Sequence, residues 1–196
     1  MNETAVDYFT EELAPEKEIK LRPELLTHPN IPKPLHGLNP RTLMGKKWWD
    51  IERRKSYAVN NYHCHSCGSF HPYEEARQRF EELKLHAHEC YDIDYENCTI
   101  KLKEIVALCE CCHNYIHSGR LGALYDQGYL DEEACWTIIS HGERILSENN
   151  LKKLVKVDER CYNKEWNKWC LVLDGKKYYS KFKNEEEWEK HYNKEV

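Results

Sequence analysis

The stretch Ala107-Leu-Cys-Glu-Cys-Cys-His-Asn-Tyr-Ile-His117 holds three cysteines and two histidines within eleven residues. Upstream, Cys64-His-Ser-Cys67 is followed by Gly68. A Cys-x2-Cys step brings two thiolates to the tip of a tight turn. Two such knuckles, Cys64 with Cys67 and Cys109 with Cys112, can close a tetrahedral zinc site against water, the pattern of a structural rather than a catalytic ion. Cys111 could stand in for Cys112, and His63 or His65 for a thiolate. A thioredoxin-like redox role does not fit, because neither pair lies in a strand-to-helix step of a βαβ unit. Cys90, Cys98, Cys135, Cys161 and Cys170 read as free thiols or core fillers.

The histidines suggest different chemistry. His113 and His117, four apart, would leave one face of a helix and could chelate one divalent ion. With His88 they would form a second, open site. Asp92 and Asp94 could add carboxylates, although a solvated loop suits them better. Arg120 could contact phosphate or act as a helix-end charge.

These side chains need elements to hold them. The apolar run Ile105-Val-Ala-Leu108 reads as a buried strand feeding the second knuckle. The expected order is knuckle, helix over Tyr73 to Leu83, strand with His88, strand at Ile105 to Leu108, knuckle, and helix with the paired histidines. Upstream, a helix is expected from Asn39-Pro40-Arg41 through Trp48-Trp49 to Tyr57. From Ile31 to Tyr62, seven basic residues face only Asp50 and Glu52. Arg41, Lys46, Lys47, Arg53 and Arg54 could lie along a phosphate backbone, or the charges could be solvated while a tryptophan packs inward. Downstream, an amphipathic helix capped by Asp131 is expected to cover the core. Two strand-like runs then flank Asp174-Gly175, a hairpin signal, and a short helix follows Asn184.

Composition sets the frame. The chain has 196 residues, 40% hydrophobic and 32% charged, with no apolar run of membrane length. Met1-Asn-Glu-Thr-Ala-Val-Asp-Tyr8 has neither a basic leader nor an apolar segment, so a cytoplasmic address is expected, where 10 cysteines stay reduced. The net charge of -5 neither supports nor excludes a nucleic-acid partner. The expected division is an N-terminal arm over 1–30, a zinc/metal domain over 31–146, a linker over 147–160 and a hairpin-helix appendage over 161–196.

Taken together, Cys64-x2-Cys67, Leu85-x-Ala-His-Glu89 and Ala107-Leu-Cys-x2-Cys-His-x3-His117 resemble the HNH endonuclease family, in its four-cysteine, phage and bacterial variety. The likeness extends upstream to Pro32-Lys-Pro-Leu-His-Gly-Leu-Asn-Pro-Arg41 and Trp48-Trp49-Asp50. It implies an α+β fold built on a ββα-metal finger braced by zinc, with flanking helices and the C-terminal hairpin plus helix. It also implies cleavage of DNA, expected to be double-stranded, with Mg2+ or Mn2+ on His88, His113 and His117. The family's general base falls on Glu89, and a supporting asparagine position on Glu104, so this chain carries glutamates where histidine and asparagine are usual. Glu89 could activate water, or bind metal while His88 or His86 serves as base. The alternative is a non-catalytic zinc ribbon that binds nucleic acid or protein, such as a phage factor that blocks a partner.

Overall fold

A computed structural model describes residues 18–71, 84–153 and 163–192. The fold is mixed α+β. Its elements are α1 (Pro40–Met44), α2 (Lys46–Val59), β1 (Leu85–Asp94), β2 (Thr99–Cys109), α3 (Glu110–Ile116), α4 (Ser118–Asp126), α5 (Glu132–Glu148), β3 (Cys170–Leu173), β4 (Lys176–Tyr179) and α6 (Glu185–Tyr192). The strands form one sheet in the order β1-β2-β3-β4. No helix among the described residues is long and apolar enough to cross a membrane.

Two compact units share the chain. One takes the described parts of Met1–Leu26, Arg53–His88 and Val106–Lys152; the other takes those of Thr27–Glu52, Glu89–Ile105 and Lys153–Val196. The boundary passes through β1 and β2, so each unit owns one end of that hairpin.

In the first unit, the described residues 18–26 of the expected N-terminal arm are packed, with a short helical turn beginning at Pro23. Leu25 and Leu26 are buried, and backbone bonds run from Arg22 N–H to the His65 carbonyl and from Lys20 N–H to Asn60 Oδ1. Apolar burial outweighs the prolines nearby. Helix α5 begins as expected, the Asp131 carboxylate accepting the Ala134 N–H at 2.8 Å. Its packing against α3 demands a glycine: a Cβ on Gly142 would lie 2.3 Å from the Tyr115 ring.

The second unit corrects two expectations. The single helix over Asn39 to Tyr57 is two helices, because Gly45 sits at φ +83 and interrupts the ladder. Asn39 still caps the first, accepting the Thr42 N–H at 2.9 Å, with Pro40 in the first turn. Residues 161–196, read as an appendage, instead contribute β3 and β4 to the sheet. Thr99, Ile100 and Lys101 of β2 pair in parallel with Cys170, Leu171 and Val172, and β3 turns back antiparallel through Asp174 and Gly175 at φ 49 and 75. Both φ values suit a two-residue primed turn. The core of this unit gathers Leu35, Ile100, Trp169 and Leu171, all fully buried, with Tyr91 and Cys98 beside them. The helix expected over Tyr73 to Leu83 lies outside the described residues, as does the second half of the linker, whose first residues belong to α5.

Helix α6 is tied to the Lys33–Leu35 turn by the Lys33–Glu185 ion pair and by Trp188. The indole Nε1–H donates to His36 Nδ1 at 3.2 Å, which leaves His36 Nε2–H to donate to the Ile31 carbonyl. That arrangement needs a neutral imidazole. Burial lowers the His36 pKa below its ordinary 6.5, opposed by the Ile31 bond and reinforced by Lys33.

Two outcomes follow from this packing. Gly142→Ala is expected to lower the unfolding free energy by about 1–3 kcal/mol, the range for overpacking, measured by urea denaturation. Because the folded His36 pKa is depressed, its contribution is present above about 6.5 and is lost as pH falls below that value. Tryptophan fluorescence melts between pH 7.5 and 5 should show this loss, and His36→Asn should lessen it.

Candidate metal centre

The first knuckle is a tight loop because Gly68, at φ +75, lets the chain reverse. Gly68 N–H donates to the Cys64 carbonyl and Cys64 N–H to the Ser69 carbonyl, each at 2.9 Å. His65 N–H donates to the Ala107 carbonyl at 2.9 Å, and Ala107 N–H donates to His65 Nδ1 at 3.2 Å. The knuckle is thereby registered on the end of β2. The second knuckle is the start of α3: Cys109 caps it, accepting the Cys112 N–H at 3.5 Å.

The result is a cluster of Cys64, Cys67, Cys109 and Cys112 whose sulfurs all lie within 4.8 Å of one another, so that they can hold a metal ion. Cys67 and Cys109 sulfurs are 3.7 Å apart. Thiolates bound at about 2.3 Å around a tetrahedral ion are separated by about 3.8 Å. Sequence spacing left Cys111, His63 and His65 as possible substitutes. Among the described residues they stay outside the cluster: His65 is engaged by Ala107, and His63 Nδ1 lies 2.6 Å from the Asn61 carbonyl. Hydrogen bonds from Cys112, Cys64 and Cys67 hold the Cys109 thiol far below its usual range, while the same crowding pushes Cys112 far above. Four sulfurs this close cannot all ionise without a cation among them.

His141, which the sequence reading did not single out, approaches from α5 with Nε2 3.5 Å from the Cys112 sulfur. Hydrogen bonds to Cys109 and Cys67 raise its pKa to about 9. The i, i+4 apolar pattern of α5 could not reveal this, since it depends on α5 crossing α3.

The second cluster uses the same helix together with β1. His88, His113 and His117 place ligand nitrogens within 4.8 Å of one another. His88 Nδ1 and His117 Nε2 are 3.1 Å apart. His113 sits within α3, whereas His117 is its C-cap at φ -89, ψ 63, so the pair is not on one unbroken helix as expected. The two ring centroids are nonetheless 4.7 Å apart. Burial, then His117, His86 and His88, lower the His113 pKa to about 2; burial and Arg120 lower that of His117 to about 4. Both imidazoles are neutral near pH 7, the form that ligates metals.

Strand alternation sorts the remaining candidates. His86 shares a face of β1 with His88 and stacks on His113 at 4.9 Å and 14°. Glu89 leaves from the other face, half-buried; burial raises its pKa, with a backbone bond and Arg41 opposing. Neither Glu89 nor Glu104, half-buried in β2, joins a ligand cluster among the described residues. Asp92 pairs with Lys103 at 3.4 Å, and Asp94 accepts from Asn97 in the β1–β2 turn. Arg120 Nη1 bonds Asn114 Oδ1 at 3.0 Å and lies 3.4 Å from His113 Nδ1, which places a permanent cation beside the histidines. Arg41, Lys46, Lys47 and Arg54 are exposed and Arg53 half-buried. On α2, Lys47 and Arg54 are seven apart and so share a side. Cys90, Cys98 and Cys170 are buried, Cys135 is partly so, and Cys161 lies outside the described residues.

The chain matches no family model, no curated protein and no solved structure.

Cys64→Ser is expected to abolish the metal content associated with the four-sulfur cluster and to lower the melting temperature sharply. His141→Ala should keep the ion but weaken its retention about 10–100-fold against a competing chelator. Metal analysis by mass spectrometry during chelator titration distinguishes the two results; equal loss in both variants would make His141 a ligand instead of a support.

Proposed function

We propose that this chain is a metal-dependent endonuclease of the HNH type that hydrolyses phosphodiester bonds of DNA. In this reading β1, β2 and α3 are the ββα finger, and Cys64, Cys67, Cys109 and Cys112 brace it with a structural zinc. The convergence of His88, His113 and His117 carries the proposal. Three imidazoles, with fewer protein ligands than a closed site, suit an ion that acts on substrate, whereas four thiolates suit a closed zinc site. Reduced thiols of this kind fit a cytoplasmic setting.

A bound divalent ion such as Mg2+ or Mn2+ would polarise the scissile phosphate and stabilise the leaving oxygen. The protein's own groups do the rest. His86, on the metal face of β1, takes the proton of the attacking water, a role expected of Glu89 by position but favoured for His86 by strand alternation. Arg120 binds a non-bridging phosphate oxygen. The exposed charges of Arg41, Lys46, Lys47 and Arg54 hold the duplex backbone without reading bases. A second reading, a zinc ribbon that binds nucleic acid without cutting it, is favoured by the departure of Glu89 to the opposite face.

Purified protein with Mn2+ or Mg2+ is expected to nick supercoiled plasmid. His88→Ala and His113→Ala should abolish nicking while zinc content stays near one ion per chain. His86→Gln should lower the rate about 10²–10⁴-fold, and Glu89→Gln much less. DNA retention without cleavage at any divalent ion, salt or pH would select the non-catalytic ribbon.

A further inference from the structure

Beside the four-sulfur cluster, and within the first unit, α3 and the start of α5 enclose a groove of about 710 Å³. This lies in the size range of ligand-binding clefts. Its apolar surface comes from Phe70, Leu130, Ala134 and Ile138, and Phe70 is 41% exposed.

Around the groove, carboxylates outnumber the one histidine with a raised pKa, His141. Glu110, Asp131 and Glu133 line it and are exposed, and no lysine or arginine is among its described lining residues. Asp131 spends one oxygen on the Ala134 N–H. The half-charge of the α5 N-terminus offsets only part of three carboxylates, so the rim stays negative.

Inside lies an unmet hydrogen bond. His71 lines the groove at 6% exposure, and its Nδ1 has no partner among the described residues. Its Nε2 is 2.9 Å from Ser69 Oγ, which is 3.2 Å from the Cys67 sulfur. A metal-bound Cys67 is a thiolate and can only accept, so the Ser69 hydroxyl donates to it and accepts from His71 Nε2–H. In the uncharged ring, Nδ1 is then a buried acceptor that an N–H donor would satisfy.

We propose that this groove docks a segment of a partner protein that presents an arginine or lysine flanked by apolar side chains. The cationic N–H groups meet His71 Nδ1 and the carboxylate rim, and the apolar neighbours cover Phe70 and Ile138. This binding is separate from the nuclease reading, since none of its residues belongs to the histidine cluster.

The test pans a random heptapeptide display library on the zinc-loaded full chain. Enriched sequences are expected to carry arginine or lysine with apolar neighbours. A synthetic peptide of the enriched sequence should bind at least tenfold more weakly to Phe70→Ser/Glu133→Lys and to His71→Phe. Both variants must match the parent in zinc content and circular dichroism for the comparison to count, and Glu133→Lys alone, a surface change, supplies the reading if either fails that check. Enrichment of acidic peptides, absence of saturable enrichment, or undiminished binding to Glu133→Lys overturns the proposal. So does self-association that Glu133→Lys removes, which would seat a second copy of this chain in the groove.

Discussion

Four sulfurs meeting at one point is the constraint on which the first unit depends. Packed within 4.8 Å, they cannot share so small a volume as anions without a cation, and as thiols they leave a buried polar knot with little to bond. Once a cation is held, two distant turns become one joint. Cys109 is at once the last residue of β2, the cap of α3 and a member of the cluster. Whatever holds Cys109 therefore also sets where α3 begins, and with it the origin of His113 and His117.

The histidine site depends on a second constraint, the period of a strand. β1 alternates faces, so His86 and His88 reach the helix together while Glu89 leaves on the other side. Burial and the neighbouring positive charge of Arg120 keep His113 and His117 uncharged, which is what makes them donors to an ion and not competitors with it. Arg120 adds the positive charge that these neutral rings lack.

The same α3 and α5 that position the histidines also shape the groove behind the sulfurs. Gly142 permits their close approach to Tyr115, and His141 follows from the crossing that results. One packing contact therefore supports both the inner face of the cluster and its outer, acidic rim.

Much of the site was legible in the sequence. Cys-x2-Cys is a local geometry, since four residues of tight turn suffice to present two thiolates, and Asp131, Asn39 and Asp174-Gly175 act within a few residues of themselves. What depended on distant partners was not. The selection of Cys112 over Cys111 came from the side of α3 that faces the first knuckle, the parallel pairing of β2 with β3 from residues about seventy apart in the chain, and the burial of Leu25 and Leu26 from a core assembled elsewhere. Sequence by itself determined which residues could ligate; tertiary structure decided which ones share a centre. The physical reason is that spacing sets direction only within one element, whereas distance between elements is set by the packing of their apolar faces.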